Sequence, residues 1–356
     1  NDKKTDRPRS VYIATFGCQM NLRDSEAIKG LLLDGGFGIA GEEKEARIVL
    51  LVTCSVRQHA EDKVWSEIGR LAKANPKPVI GLIGCMAENY KDAAFKRMPG
   101  IDLVVGTNNI GEIPALLKKI FNNHHAAGGA GESRTANHES RILAVSKKER
   151  DEFVYAPKFR QEKGHSFVVI SEGCDNFCSY CVVPYVRGRL RHRKPENILR
   201  EIEININQGI NSITLLGQNV NAYQYDGIDF IKLLELADSL NGLKEFGFVT
   251  SHPRDSSTEL FKAMAGLDKL KKALHLPFQS GSNRILELMK RGYTREHYLH
   301  LAKEYRKIVP EGALTTDIIV GFPGESEEDF RQTLDLIKEA RVNSAFIFKY
   351  SPRATA

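Results

Sequence analysis

Three cysteines stand close together in the segment EGCDNFCSYCVVPY (172–185) and have the side chains to bind a metal centre. Cys174, Cys178 and Cys181 lie within eight residues, and no fourth cysteine follows them. Zinc sites and most iron–sulfur clusters use four protein ligands, and no histidine has a zinc-finger spacing to supply the fourth. A four-iron cluster held by only three thiolates keeps one iron open for a substrate or a cofactor. An electron carrier gains nothing obvious from such an opening, whereas a catalyst does.

The other three cysteines are far apart in the sequence but occupy equivalent positions. Cys18, Cys54 and Cys85 each follow a short apolar segment that is typical of a buried parallel strand. The three segments are 10–15, 47–52 and 79–84. If these strands are neighbours, their carboxyl ends bring the three thiols to one edge of a sheet. A single cysteine of this kind is more often a small buried apolar residue, but three equivalent positions predict a second three-cysteine site.

The elements that must position these cysteines alternate between strands and amphipathic helices. Residues 1–121 have a βαβ pattern, which predicts a parallel-sheet domain of the Rossmann or flavodoxin type. Residues 122–165 are small, polar and aperiodic, and they predict a linker in which His124 and His125 are solvated. Residues 166–356 predict an open or partial (β/α) barrel, with a doubly wound sheet as the alternative. Its candidate strands are 167–171, 212–216, 246–250, 273–276, 315–320 and 345–350.

Polar side chains accompany five of these six candidate strands, most of them at the carboxyl end. Active sites of both architectures lie at that end of the sheet, so we expect the side chains to form one polar pocket. The residues are Gln218, Asn219, Asn221, Ser251, His252, Gln279, Ser280, Asp317, Ser351 and Arg353.

Composition limits the class of protein. Hydrophobic residues make up 42% and charged residues 27%, which is ordinary for a globular protein with buried cores. No apolar run reaches the roughly 18 residues needed to cross a membrane, and NDKKTDRPRS at the start is unlike a signal peptide. Six cysteines without a secretory spacing indicate metal-binding or reactive thiols. We therefore expect a cytoplasmic protein with no membrane partner.

A basic segment, RGRLRHRK (187–194), follows the barrel cysteines directly. The net charge of +6 is modest, so the local clustering carries more information than the total. Arg187, Arg189 and Arg191 are predicted to contact RNA phosphates. A plain solvated basic loop is the alternative.

The cysteine pattern and its setting resemble a known family. Cys-x3-Cys-x2-Cys after the first strand of a (β/α) barrel, with Tyr180 before the last cysteine, resembles the radical S-adenosylmethionine superfamily. The segments TFGCQMN, VTCSVR, GCMAE, LLGQNVNAY, HLPFQSGS, TDIIVGFPGE and FKYSPR are similar to the methylthiotransferases within it. The likeness covers nearly the whole chain except the linker. CSYCVVPYVRGR and GQNVNAY resemble the branch that modifies isopentenylated adenosine in tRNA.

The resemblance implies two [4Fe-4S] clusters and S-adenosylmethionine as cofactors. Cys174, Cys178 and Cys181 would hold the cluster whose open iron binds S-adenosylmethionine, and electron transfer would yield a 5′-deoxyadenosyl radical. Cys18, Cys54 and Cys85 would hold a second cluster that handles sulfur. One S-adenosylmethionine would methylate that sulfur, and another would generate the radical that abstracts hydrogen from carbon 2 of the adenine. The implied cofactor contacts are Tyr180, Gln218, Ser251, Gln279, Ser280 and Asp317.

The implied partners are a tRNA, a reducing electron donor and a sulfur donor, and we expect a monomer. Family members continue past YSPR into a small C-terminal β-barrel assigned to RNA binding, whereas this sequence reads YSPRATA, so that module is expected to be absent. Action on another tRNA adenosine or on a ribosomal protein remains open. A non-catalytic iron–sulfur electron carrier and a zinc-dependent nucleic-acid binder are the alternatives of other classes.

Overall fold

A computed structural model describes residues 9–126, 141–146, 150 and 164–353. The chain divides into two compact units. The first unit lies within Asn1–Gln161 and also includes Tyr185–Arg187, and the second comprises Glu162–Pro184 and Gly188–Ala354. Among the described residues, no helix combines the length and the apolar character that crossing a membrane requires.

A parallel sheet of six strands forms the centre of the first unit. The strands are β1 (Ser10–Thr15), β2 (Gly38–Ile39), β3 (Ile48–Thr53), β4 (Val79–Gly84), β5 (Leu103–Val105) and β6 (Ile142–Ala144). Their order is β2–β1–β3–β4–β5–β6, and every neighbouring pair is parallel. β3 and β4 are buried along their whole length, as strands covered on both faces are.

Helices cover both faces of this sheet. They are α1 (Gln19–Asp34), α2 (Gln58–Ala72), α3 (Cys85–Tyr90), α4 (Ala93–Arg97) and α5 (Ile113–Ala126). Alternate residues of β3 belong to two separate apolar layers, because successive side chains of a strand point to opposite faces. Leu50 packs in the layer that includes Ile28 of α1, and Leu51 packs in the layer that includes Trp65 of α2. The predicted α/β architecture of this part is confirmed.

Two parts of the predicted linker belong to the first unit. α5 continues to Ala126, and Ile142–Ala144 pairs in parallel with β5. Three strand residues are too few to show an alternating pattern, so β6 carries no periodic signal in the sequence. The remaining linker residues, 127–140, 147–149 and 151–163, lie outside the described residues, as do the side chains of His124 and His125.

The second unit contains two parallel three-stranded sheets. Its strands are β7 (His165–Val169), β8 (Ser171–Glu172), β9 (Arg191–His192), β10 (Ser212–Leu216), β11 (Gln224–Tyr225), β12 (Ile228–Asp229), β13 (Glu245–Phe248), β14 (Ala273–His275), β15 (Ala313–Val320) and β16 (Ser344–Lys349). The sheets have the orders β13–β10–β7 and β14–β15–β16, and a parallel bridge joins Phe246 to Leu270, just before β14. Six parallel strands therefore follow one another in chain order, which confirms the predicted partial barrel.

Helices and their caps alternate with these strands. They are α6 (Val183–Val186), α7 (Pro195–Asn207), α8 (Phe230–Asp238), α9 (Thr258–Gly266), α10 (Asn283–Leu288), α11 (Arg295–Ile308) and α12 (Glu327–Ala340). α12 begins with a complete capping box, which Ser326 and Asp329 form. Short side chains at the starts of α8, α9, α10 and α11 also accept backbone hydrogen bonds, which fixes where the loops end.

Leu50→Ala should destabilise the first unit, because Leu50 is fully buried in the centre of β3. Removing such a side chain costs about 2–5 kcal/mol of the free energy of unfolding. The fluorescence of Trp65, the only tryptophan of the sequence, follows unfolding of this unit in urea. Leu33→Ala is the control, since Leu33 is 47% exposed, and it should leave the urea midpoint nearly unchanged. Equal shifts for both variants would contradict the prediction.

Candidate functional site

Cys18, Cys54 and Cys85, here called the amino-terminal triplet, lie at the carboxyl ends of adjacent strands. Cys18 caps α1 after β1, Cys54 follows β3 directly, and Cys85 begins α3 after β4. The sheet order confirms that β1, β3 and β4 are neighbours. The side chains of Cys18 and Cys54 hydrogen-bond each other. Parallel pairing thus brings together thiols that are far apart in the sequence.

Gly17 permits the close packing of the amino-terminal triplet. It adopts a φ of +121°, a conformation that L side chains rarely adopt. A Cβ atom at this position would lie 2.3 Å from the Cβ atom of Cys54. Any other residue at this position would clash with Cys54, so glycine is required here for Cys18 and Cys54 to lie close together.

The three thiols of this triplet differ in acidity. The hydrogen bond from Cys54 lowers the pKa of Cys18 to about 6, although burial opposes the shift. The same hydrogen bond, together with burial, raises the pKa of Cys54 well above its usual value. Burial also raises the pKa of Cys85, against the opposing positive charge of Arg187. Cys18 is therefore the thiolate of the metal-free triplet near neutral pH.

Arg187 belongs to a buried ionic cluster of the first unit. Its Nη2 atom lies 2.9 Å from Oδ2 of Asp24, and Nη1 of Arg150 lies 2.7 Å from Oδ1 of the same carboxylate. Burial alone would raise the pKa of Asp24, but the charges of Arg150 and Arg187 outweigh it and hold the pKa below its usual value. Arg187 also hydrogen-bonds the side chain of Cys85. The Arg187 side chain is only 4% exposed and is paired with Asp24 within the protein, and its contact with RNA phosphate stays a prediction.

Cys174, Cys178 and Cys181, here called the barrel triplet, lie in a loop that backbone contacts hold in place. Gly173 has a φ of +79°, and a Cβ atom on it would lie 2.1 Å from the backbone oxygen of Arg189. The Gly173 amide donates to Oε1 of Gln218 at 2.6 Å. The Cys174 amide donates to the backbone oxygen of Gly188 at 3.2 Å. Gln218, a predicted cofactor contact, thus uses its side-chain oxygen to position the loop.

Arg291 contacts the barrel triplet directly. Its Nη1 atom lies 3.4 Å from Sγ of Cys178 and 3.3 Å from the hydroxyl of Tyr180. The other side of the guanidinium donates to the backbone oxygen of Pro277 at 2.9 Å and to the hydroxyl of Tyr293 at 3.2 Å. The sequence analysis missed Arg291 because it follows α10 and not a strand. Its position in the loop after a helix gave no signal in the sequence.

Tyr180 is packed among apolar side chains. It lies against Ile285, Met289, Ile319 and Phe322. Burial raises the pKa of the Tyr180 hydroxyl well above its usual value, against the opposing charge of Arg291. The ring is therefore a neutral, apolar surface next to the barrel triplet, and its contact with the cofactor stays a prediction.

Several polar atoms at the strand ends of the barrel are buried without a partner. No described residue hydrogen-bonds them, and each costs free energy unless a ligand or water satisfies it. The atoms are Oγ of Ser171, Oδ1 of Asn219, Oγ of Ser251, Nε2 of His252 and Oε1 of Gln279. They suit a polar small-molecule cofactor that offers several hydrogen-bonding groups. Ser251 and Gln279 were among the predicted contacts.

His252 is held neutral and in one tautomer. Burial, with the charges of Arg291 and Arg254, lowers the pKa of His252 to about 2. Its Nδ1 atom accepts from the Arg254 amide at 3.2 Å, so the proton is assigned to Nε2. Asn221 fixes the backbone of this histidine, accepting from its amide at 2.9 Å and donating to its carbonyl at 3.0 Å. Nε2 of His252 is therefore a hydrogen-bond donor for a ligand.

Two other predicted cofactor contacts have different surroundings. Ser280 is fully buried, and its hydroxyl lies 3.4 Å from Oγ1 of Thr333 and accepts from the Ser282 amide. Asp317 lies within β15, not after it, and its carboxylate is 3.4 Å from Nε2 of His275. Packing thus accounts for Ser280, while Asp317 belongs to a polar pair on the strands. His275 was missed because it lies within an apolar strand segment.

The remaining basic candidates differ in exposure. Arg189 is 73% exposed, and its guanidinium stacks 4.5 Å above the ring of Phe177. Arg191 is 23% exposed and lies 3.6 Å from the carboxylate of Glu172. Both remain candidates for RNA phosphate, with Phe177 as an aromatic surface beside them.

The donor sets fit iron–sulfur clusters. All six cysteines are free thiols. In the part of the chain that the structure describes, no group of three or more His, Cys, Asp and Glu side chains is spaced to hold a metal ion. The ligands of a four-iron cluster are farther apart than those of a single metal ion, because each thiolate binds a different iron atom. The barrel triplet, with unsatisfied polar atoms in the same unit, has the chemistry for a cluster and a polar cofactor.

Comparison with known proteins gives consistent matches to both units. Residues 168–337 match the Radical SAM superfamily, and residues 10–106 match the Uncharacterized protein family UPF0004. The chain is 46% identical to the tRNA-2-methylthio-N(6)-dimethylallyladenosine synthase of Moorella thermoacetica, covering 97% of this chain and 76% of that protein. It is 45% identical to the protein of that name from Carboxydothermus hydrogenoformans, over 97% of this chain and 77% of the relative.

A solved structure shares the fold at low identity. The radical S-adenosylmethionine methyltransferase TsrM from Kitasatospora setae, with cobalamin and a [4Fe-4S] cluster bound, aligns with a TM-score of 0.62 at 16% identity. The alignment covers 96% of this chain and 75% of TsrM. This likeness supports the fold and carries no statement about substrate.

In metal-free protein at neutral pH, Cys18 should be alkylated by iodoacetamide about tenfold faster than Cys85, because only the thiolate reacts. The thiolate fraction rises as the pH passes the pKa, so the rate at Cys18 should reach half its maximum near pH 6. Cys54→Ala removes the hydrogen bond and should move this midpoint to higher pH. Mass spectrometry of the alkylated peptides measures each rate. Equal rates at Cys18 and Cys85, or an unmoved midpoint in the variant, would contradict the assigned acidities.

Proposed function

Because the chain belongs to the radical S-adenosylmethionine methylthiotransferase family, we propose that it methylthiolates tRNA. The target is carbon 2 of an isopentenylated adenosine next to the anticodon. The observation that carries the proposal is a three-thiol loop in the same barrel as buried, unsatisfied polar atoms at the strand ends. This combination suits a cluster with an open iron and a cofactor that binds to it.

The barrel triplet would hold the radical-generating [4Fe-4S] cluster. Together with S-adenosylmethionine, such a cluster supplies one-electron chemistry that can break unreactive C–H bonds. The residues of this chain would bind and orient the cluster and the cofactor and would shield them from solvent. Tyr180 offers a partly buried ring next to the cysteines, and Gln218 fixes the loop through the Gly173 amide.

The unsatisfied polar atoms would bind the cofactor. Ser251 offers a hydroxyl, while Asn219 and Gln279 offer amide oxygens that accept hydrogen bonds from ammonium or hydroxyl groups. His252 has Nε2–H available to donate to a carboxylate or hydroxyl oxygen. Because this histidine stays neutral over the physiological range, its role does not change with pH.

The amino-terminal triplet would hold a second [4Fe-4S] cluster, at which the sulfur to be transferred is kept. Its support is the convergence of three thiols at one sheet edge, with Gly17 shaped for their close approach. The Arg187 guanidinium beside Cys85 would offset part of the negative charge of the thiolates. The reaction also needs a low-potential electron donor and a sulfur donor from other proteins or small molecules.

The RNA would be bound through phosphate contacts. Arg189 and Arg191 provide positive charge, and the Arg189 guanidinium is stacked on the Phe177 ring. We propose a monomer located in the cytoplasm, where its tRNA substrate is found.

Replacing the two triplets separately should distinguish their functions. Cys18→Ala, Cys54→Ala and Cys85→Ala together should leave the barrel triplet intact, so this variant should still form 5′-deoxyadenosine under reducing conditions. It should make no methylthiolated tRNA, because it lacks the thiolates that bind the second cluster. Replacing Cys174, Cys178 and Cys181 by alanine should abolish both products. Mass spectrometry of the nucleosides and of the cofactor products measures the outcome.

Iron and sulfide analysis supplies the control for that experiment. The anaerobic wild-type protein should hold about eight irons per chain, and each triple variant about four. Methylthiolated tRNA from the first variant would show that the amino-terminal cysteines only pack. A wild-type protein that forms no 5′-deoxyadenosine would instead favour an electron carrier, and modification of a ribosomal protein alone would exclude the tRNA substrate.

Arg189→Ala with Arg191→Ala should weaken tRNA binding and flatten its salt dependence. Losing two phosphate contacts reduces the slope of log K against log salt by about 1.4, because fewer counterions are released. Fluorescence anisotropy of labelled tRNA at several salt concentrations measures this slope. The control is Arg331→Ala with Lys338→Ala, which removes two exposed positive charges from α12. If both pairs change the slope equally, the effect reports net charge and not a defined contact.

A further inference from the structure

We propose that Arg291 is the buried counter-charge of the cluster at the barrel triplet and that it makes this cluster easier to reduce. The inference rests on the proposed function, in that it takes Cys178 as a cluster ligand. Arg291 lies outside the predicted set of site residues, and the role proposed for it is electrostatic.

Arg291 is a buried cation that has no carboxylate partner among the residues the structure describes. The residue is only 5% exposed. Its hydrogen bonds go to Sγ of Cys178, to the hydroxyls of Tyr180 and Tyr293, and to the backbone oxygen of Pro277. Within the described ranges, no aspartate or glutamate oxygen lies within salt-bridge distance of this guanidinium.

Three other buried arginines of the described residues have a carboxylate partner. Arg193 lies 2.7 Å from Oε2 of Glu201 in the same unit. Arg150 and Arg187 share the carboxylate of Asp24 in the first unit. Burying a charge without an opposite charge is strongly unfavourable, which explains these pairs. Arg291 therefore stands out as a guanidinium that needs an anion.

The thiolates of the barrel triplet, with their cluster, provide that anion. Three thiolates give such a site an excess of negative charge, and reduction by one electron from a low-potential donor adds another. Nη1 of Arg291 lies 3.4 Å from Sγ of Cys178, close enough for an N–H···S hydrogen bond. A fixed positive charge at this distance favours the more negative, reduced form, especially in a buried site with a low effective dielectric constant.

The surroundings of Arg291 hold the guanidinium toward the sulfur. Its Nη2 donates to the Pro277 backbone oxygen, and its Nε donates to the Tyr293 hydroxyl. That hydroxyl in turn donates to the backbone oxygen of Phe278 at 2.8 Å. Two separate contacts on the far side of the planar group leave Nη1 directed at Cys178 and Tyr180, so the charge cannot swing away.

Redox titration of the isolated barrel cluster tests the proposal. All variants are made in the full chain with Cys18, Cys54 and Cys85 replaced by alanine, so that one cluster contributes the signal. Electron paramagnetic resonance follows the reduced cluster without S-adenosylmethionine. Arg291→Met should lower the ratio of reduced to oxidised cluster at least tenfold at a fixed potential, which is a shift of about 59 mV to more negative values.

Two further variants separate charge from other effects. Arg291→Lys keeps the positive charge and should change the ratio less than about threefold, a shift of roughly 30 mV. Lys290→Met removes the positive charge of the residue before Arg291, and that residue is exposed to solvent. Water screens that charge, so this variant should titrate like the parent protein.

Three results would overturn the proposal. One is an unchanged ratio in Arg291→Met with its iron content intact. Another is a lysine variant that titrates like the methionine variant, because the lost hydrogen-bonding geometry would then explain the effect. A third is weaker S-adenosylmethionine binding with no shift of the cofactor-free potential, which would make Arg291 a cofactor ligand instead.

A variant that loses iron is also informative. If Arg291→Met holds no cluster, Arg291→Gln removes the charge but keeps hydrogen-bonding groups, and the tenfold criterion applies to it. Loss of iron in the methionine and glutamine variants, but not in the lysine variant, supports a required charge. Loss in all three means that only the shape of arginine matters and overturns the proposal. Methylthiolation by the wild-type protein is assayed separately, so a failed tRNA function remains distinguishable from a failed role of Arg291.

Discussion

Parallel pairing of neighbouring strands is the constraint on which the candidate sites depend. β1, β3 and β4 run side by side, so the residues that follow them meet at one edge, and Cys18, Cys54 and Cys85 become neighbours. The same geometry in the second unit collects polar side chains at the carboxyl ends of its strands. The residues within the strands are apolar and chemically alike, whereas the residues that follow the strands carry the thiol and polar side chains.

Buried charge is the second feature that the two units share. Each triplet has a guanidinium in contact with one of its cysteines, Arg187 with Cys85 and Arg291 with Cys178. Burial by itself disfavours thiolates, and a nearby fixed cation offsets part of that cost. The two arginines differ in their own compensation, because Arg187 also binds Asp24 while Arg291 has neutral oxygen partners apart from the cysteine sulfur. Compensation of the Arg291 charge therefore depends more strongly on an anionic group bound at the barrel triplet.

The barrel combines this charge with neutral polar groups. His252 is kept neutral by burial and by the nearby arginines, and Nε2–H is left without a described partner. Tyr180 likewise keeps its proton. Neutral donors and acceptors can bind the ammonium, carboxylate and hydroxyl groups of one cofactor without adding charge that would oppose reduction of the cluster. Under the proposed function, neutral groups would bind the cofactor and Arg291 would compensate the charge of the cluster.

The sequence by itself determined the strand–helix alternation and the two cysteine triplets, because periodicity and ligand spacing are local patterns. It also predicted the equivalence of Cys18, Cys54 and Cys85, since each follows a strand-like segment. Only the tertiary structure decided which polar residues were already engaged. Arg187 is buried against Asp24, the Ser280 hydroxyl is near Thr333, and Arg291 reaches Cys178 from a loop more than one hundred residues away in sequence. Partners so distant in the chain leave no periodic or spacing signal, because three-dimensional packing alone brings them together.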